Sequence, residues 1–175
     1  MNTRVLIILS LLVGIGAVLH TVVPAILFGM KPDMLLSMMF LGIMLFPKLK
    51  YVVLLSIVTA IISALTTLAP GGQIANLIDK PITALLFFGL FLLVKDKVND
   101  KISAPALTAI GTIISGSIFL FSALYIVGLM DGVFTALFLT IVLPTAAVNT
   151  IMMIVVYPVV QKIMRRSQPI TLSNI

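Results

Sequence analysis

Residues 5–28 read VLIILSLLVGIGAVLHTVVPAILF, twenty-four positions without Asp, Glu, Lys or Arg. At 1.5 Å per residue such a helix is about 36 Å long, enough to cross a hydrocarbon core of about 30 Å. The run follows a single Arg4, as a signal peptide would. It is longer than an ordinary signal core, lacks a clean small-x-small cleavage site and continues through His20 and Pro24, so it reads as a span that is kept.

Working outward from this run, five more apolar segments appear between charged or Pro/Gly punctuation. The six are Val5 to Phe28, Met34 to Phe46, Tyr51 to Leu68, Ile82 to Val94, Pro105 to Leu129 and Val133 to Met164. The whole chain, residues 1–175, reads as one transmembrane domain, an all-α integral membrane protein of six helices. Composition agrees: 61% hydrophobic and 9% charged, where a soluble domain carries about a quarter charged residues. There is no Cys, which excludes disulfides, thiolate chemistry and Cys-ligated metals, and no Trp.

Basic residues set the expected orientation, because cytoplasmic loops retain Lys and Arg. With the N-terminus inside, Arg4, Lys48, Lys50, Lys95, Lys97, Lys101, Lys162, Arg165 and Arg166 lie on the cytoplasmic side with Asp96 and Asp100. The outer side has Lys31 and Lys80 against Asp33, Asp79 and Asp131, and both termini are cytoplasmic. The net charge of +6 is then an orientation signal with some attraction to anionic lipid. Nucleic acid would need a soluble basic surface that this chain lacks.

The second and fourth segments hold about 13 residues, roughly 20 Å of helix, and neither spans comfortably. Each follows Lys-Pro (Lys31-Pro32, Lys80-Pro81) and precedes Lys-x-Lys (Lys48 to Lys50, Lys95 to Lys97). Snorkelling lysines recover part of the shortfall at the inner end. The outer loops Gly29 to Asp33 and Ala69 to Lys80 are expected to dip to membrane depth around an outward-facing pocket, with Pro32 and Pro81 opening helices whose N-termini suit an anionic group. The bland alternative is two helices in a locally thinned bilayer.

The polar inventory excludes an enzyme. One His, no Cys, no Glu and five Asp, all in expected loops, supply neither a buried acid/base pair nor metal-ligand spacing. No cofactor is implied, and no intramembrane carboxylate is apparent for a proton-driven carrier. Candidate substrate-binding residues are Lys31 and Asp33 in the first outer loop, then Gln73, Asn76, Asp79 and Lys80 in the second. Each loop offers one cation and one anion, as a zwitterionic amino acid requires; ordinary solvated loop charges are the competing reading. Within the bilayer, His20 reads as the only ionisable side chain, and Asn149 sits near the midplane of the sixth helix, five residues after Pro144. Each is a site candidate or an interhelical clamp. The Thr108, Gly111, Thr112, Ser115 stripe reads as packing, and the methionines Met30, Met34, Met38, Met39 and Met44 as plastic core or pocket wall. Phe28, Phe87 and Phe88 are candidate stacking partners for a ring. On helix 1, Ser10, Gly14 and Ala17 form a small-residue face for a partner helix.

Taken in order, Met30-Lys-Pro-Asp-Met34, Leu45-Phe-Pro-Lys48, Ile62-Ser-Ala-Leu-Thr-Thr67, Ile78-Asp-Lys-Pro81, Thr108-Ala-Ile-Gly-Thr112 and Leu143-Pro-Thr-Ala-Ala-Val-Asn-Thr150 resemble the TrpP-type tryptophan transporters. That family is grouped with the substrate-binding S components of energy-coupling-factor transporters. The resemblance implies an S-component-like bundle, N-in and C-in, that captures L-tryptophan at the outer face of a bacterial cell membrane. The loops after helices 1 and 3 would close over it. It further implies docking on a membrane coupling subunit driven by two cytoplasmic ATPases. The class docks through Ala-xxx-Ala on helix 1, where this chain has Ser10-xxx-Gly14. Alternatives from other classes are a self-sufficient secondary carrier and a non-transporting assembly protein.

Overall fold

The structure is a computed structural model that describes residues 2–22 and 33–166. Six helices and no strands are present among the described residues. They are α1 (Thr3–Val22), α2 (Met34–Leu45), α3 (Leu49–Thr66), α4 (Gly72–Val94), α5 and α6. α5 runs over Asp100–Phe121 and continues as a π-helical stretch, Ser122–Val127. α6 joins a short turn, Phe134–Leu137, through a π-helical stretch, Phe138–Val142, to the long Leu143–Arg166. Pro144 has no N–H to give to Thr140, and the widened turns lie directly before it, where the ladder must be re-registered.

Five of these helices are long and apolar enough to cross a membrane, and each keeps most of its apolar surface outside the bundle. Leu11, Leu65, Leu93 and Ile151 are among the exposed large side chains, as suits a lipid-facing surface. α2 is the exception. It has 12 residues, and Met34 to Met44 are all buried, because the other helices surround it. A helix apolar all round has no solvent face to offer, so the centre of the bundle is its stable place.

α2 is held from three sides. Gly16 of α1 has Met38 and Leu35 of α2 3.0–3.3 Å from where a Cβ would stand. Phe40 of α2 stacks on Phe87 of α4, with ring centroids 4.0 Å apart and planes at 7°. Gly111 of α5 closes on the same two rings, which lie 2.7–2.9 Å from a Cβ placed there, so no larger residue fits without moving them. The methionines Met34, Met38, Met39 and Met44 are core residues here, and Met30 lies outside the described residues.

α4 departs from the expected boundaries. It begins at Gly72, ten residues before Ile82, so Pro81 lies inside the helix and Ala69 to Lys80 is not a dipping loop. Its start is set by Pro70-Gly71, where Gly71 takes the left-handed φ of 70° that favours glycine and Gly72 N–H donates to the Ala69 carbonyl at 2.9 Å. With 23 residues α4 is about 35 Å long, so only α2 is short. Asp79 and Lys80 therefore sit about 12 Å along a membrane-length helix. This corrects two expectations at once: Asp79 is a carboxylate within a spanning helix, and His20 is not the only ionisable side chain there.

Asn2 N–H donates to Tyr51 Oη at 3.1 Å, which ties the start of α1 to the start of α3 at one end. Lys48, Lys50, Lys95 and Lys97 belong to that end, and the end of α1, the start of α2 and the α3–α4 and α5–α6 connections to the other.

Candidate functional site

At the end opposite the lysines, a cavity of about 250 Å³ opens between the helices. One water needs about 10–15 Å³ of such space, so the volume suits a small organic ligand. Every helix contributes to its wall. Its lining combines polar residues, among them His20 (α1), Asp33 at the start of α2, Ser63 (α3), Asn76, Asp79 and Lys80 (α4) and Thr112 and Ser115 (α5), with apolar ones, among them Phe119 and Leu120 (α5), Met130, and Ile141 and Val142 from the π-helical stretch of α6.

The charged part of the lining is built around Lys80. Its Nζ donates to Asp33 Oδ2 at 2.8 Å and to Asp79 Oδ2 at 2.9 Å, joining residues 47 positions apart in sequence. Asp79 Oδ2 also accepts from Ser115 Oγ at 2.7 Å, and its Oδ1 from Thr83 Oγ1 at 2.7 Å. Asp33 caps α2: its Oδ1 accepts from Leu36 N–H at 2.9 Å, while His20 Nδ1 lies 3.9 Å away. Burying three charges is tolerable because each carboxylate faces the ammonium and takes further hydrogen bonds. The spacing in α4 follows from the helix itself. Asn76, Asp79, Lys80 and Thr83 are three or four apart and share the inward face.

Of the residues singled out from sequence, His20, Asp33, Asn76, Asp79 and Lys80 line this cavity. Asn76 is held by donation of its Nδ2 to the Gly72 carbonyl at 2.8 Å. Gln73 is exposed on the outer face of α4, away from the cavity. Lys31 lies outside the described residues, as does Phe28. Asn149 is fully buried one layer behind the wall, donating to Thr112 Oγ1 at 3.3 Å. Its Oδ1 has no partner among the described residues. Phe87 is committed to its stack on Phe40, Phe88 packs against the core, and the aromatic ring at the cavity is Phe119. Ser10 and Gly14 face outward on α1, with nothing within 4 Å of a Gly14 Cβ, whereas Ala17 packs against the core.

Sequence reasoning passed over Ser63, Thr67, Thr112 and Ser115, all of which line the cavity. Ser and Thr are ordinary constituents of membrane helices, where they bond to the preceding turn, as Thr108 does to Ala104 at 2.8 Å. The only available signal was position: Thr112 and Ser115 follow Gly111 on one face, which marked the face as buried without saying what it faced. Among the described residues no group of three or more His, Cys, Asp or Glu gathers as a metal site would require.

Comparison with known proteins adds an independent line. A family model described as "Tryptophan transporter TrpP" matches residues 2–165. A "Probable tryptophan transport protein" of Bacillus subtilis (strain 168) is 58% identical over 167 residues, covering 95% of this chain and 96% of the relative. Proteins of the same name from Clostridium acetobutylicum and Clostridium perfringens are 46% and 38% identical over 165 and 176 residues. These alignments cover 94% and 95% of this chain, and 96% of each relative. No solved structure shows a significant match.

Proposed function

Since this chain belongs to the TrpP tryptophan transporter family, we propose that it binds L-tryptophan in the cavity at Asp33 and Lys80 and serves its uptake as an S component. It is a multi-pass membrane protein of a transporter family, not an enzyme. The observation that carries the reading is the cavity itself: a lining of charged and apolar residues around about 250 Å³, at one end of the bundle. An amino acid with a large ring has that same combination.

In this reading all six helices cross the cell membrane, α2 doing so within the bundle, with both termini cytoplasmic. The lysine-rich end is then inside and the cavity opens outward, in keeping with the charge asymmetry of the loops. Energy comes from a separate coupling subunit with two cytoplasmic ATPases. The outward face of α1 at Ser10 and Gly14 supports docking of a partner helix, because small residues there let a second backbone approach closely.

The chain has no Trp, so with excitation beyond Tyr absorption all indole emission belongs to the ligand. Titrating tryptophan with detergent-purified protein is expected to shift that emission to the blue as the ring enters an apolar site. An unchanged spectrum at saturating protein would remove the proposal.

One observation favours a second reading. Asp79 is a buried carboxylate in a spanning helix, the feature a proton-coupled carrier needs. Vesicles containing this chain alone separate the two. Tryptophan accumulation driven by a pH gradient would establish the carrier, and accumulation only with the ATPase module present would establish the S component.

A further inference from the structure

The described charged residues of the cavity differ in what they can offer a ligand. Among the described residues that line it, Asp33 and Asp79 bring two negative charges and Lys80 one positive, with His20 the remaining titratable group. Lys80 has little left to offer a ligand. An ammonium has three protons to donate, and its Nζ lies 2.8 Å from Asp33, 2.9 Å from Asp79 and 3.5 Å from Ser115 Oγ, with 3% of the side chain exposed. Asp79 is also committed, accepting from Thr83, Ser115 and Lys80 with no exposure. Asp33 is different. It accepts from Leu36 N–H and from Lys80, yet 22% of its side chain is exposed, and a carboxylate has about four lone-pair sites. A ligand thus meets an acceptor with spare capacity and a cation with almost none.

We infer that the cavity recognises its ligand first through a cationic ammonium received by Asp33, so that an aromatic monoamine without a carboxylate is a ligand class of the same site. This rests on the reading of the cavity as a tryptophan site. The physical reason is the division of capacity among the described residues: an ammonium needs an acceptor, which Asp33 supplies, whereas a carboxylate needs a donor, and Lys80 has almost none to spare. The ring is accommodated by Phe119, Leu120, Met130, Ile141 and Val142 in either case.

The experiment uses the full-length protein in detergent. Tryptophan, tryptamine and indole-3-propionate are each titrated and followed by their own indole emission. Tryptamine is expected to bind within about tenfold of tryptophan, and indole-3-propionate at least about a hundredfold more weakly. Asp33→Asn removes the charge while keeping an amide oxygen able to cap α2. It is expected to weaken both amines, tryptamine at least about tenfold, with thermal unfolding in detergent as the folding control. Indole-3-propionate binding as well as tryptamine, or unchanged tryptamine binding in a folded Asp33→Asn, would overturn the inference. Tryptophan binding without tryptamine binding would overturn it too and leave the proposed substrate standing. Tryptamine binding without tryptophan binding would do the reverse.

Discussion

The chain contains the same local pattern twice: Lys31-Pro32 and Lys80-Pro81, each before about a dozen apolar residues and a Lys-x-Lys. The two copies take different roles. After the first, α2 starts at Met34 with Asp33 as its cap, and the 12-residue helix is buried on all sides. The second lies inside α4, whose helix began nine residues earlier at Gly72. Local sequence around Lys-Pro does not decide between these outcomes. What differs is upstream: Pro70-Gly71 starts a helix that Ile74, Ala75, Leu77 and Ile78 sustain, and tertiary burial then accommodates the proline. The copies nevertheless meet, because the acid of the first, Asp33, binds the lysine of the second at 2.8 Å.

That meeting point is where the comparison can be broken most severely. Lys80→Met keeps the length of the side chain and removes the cation between Asp33 and Asp79, leaving the fully buried Asp79 and the part-buried Asp33 without it. Removing one partner of a buried pair costs about 3–5 kcal/mol, so thermal unfolding in detergent is expected to move down sharply and ligand binding to be lost. Unchanged unfolding would mean that the two units are not held together by charge. Ser115→Ala tests the support of the second unit alone. It deletes one hydrogen bond to Asp79, and a bond to a charged group contributes about 1.5–3 kcal/mol, so a smaller loss is expected, with α2 unaffected in hydrogen exchange. The smallest effect belongs to Gln73→Ala on the exposed face of α4. Stability is expected to stay within about 0.5 kcal/mol and tryptophan binding unchanged; a binding loss there would place the ligand on the outer surface instead of in the cavity.

The contrast also explains what could be read in advance. α2 was legible because charge and proline bound it on both sides, with Lys31-Pro32-Asp33 before it and Pro47-Lys48 after it. The first half of α4 was not. Asp79 and Lys80 resemble a loop to any reading that keeps charges out of membrane helices, and their mutual neutralisation needs Asp33 and Ser115, which are distant in sequence. The charged members of the cavity wall stood out by rarity in so apolar a chain. Its hydroxyls did not, since Ser63, Thr112 and Ser115 have the same composition and spacing as residues that serve packing alone.

Sequence by itself determined that the chain is helical, membrane-embedded and basic on one set of loops, because runs of apolar residues and the placement of lysines are local properties that the bilayer reads directly. It also determined the family, through motifs kept in order along nearly the whole chain. Only the tertiary structure decided which charges face each other. Lys80 is buried between Asp33 and Asp79 because bundle packing brings α2 and α5 against the inner face of α4. Held there by two carboxylates, a lysine that would otherwise mark a loop becomes the centre of a site.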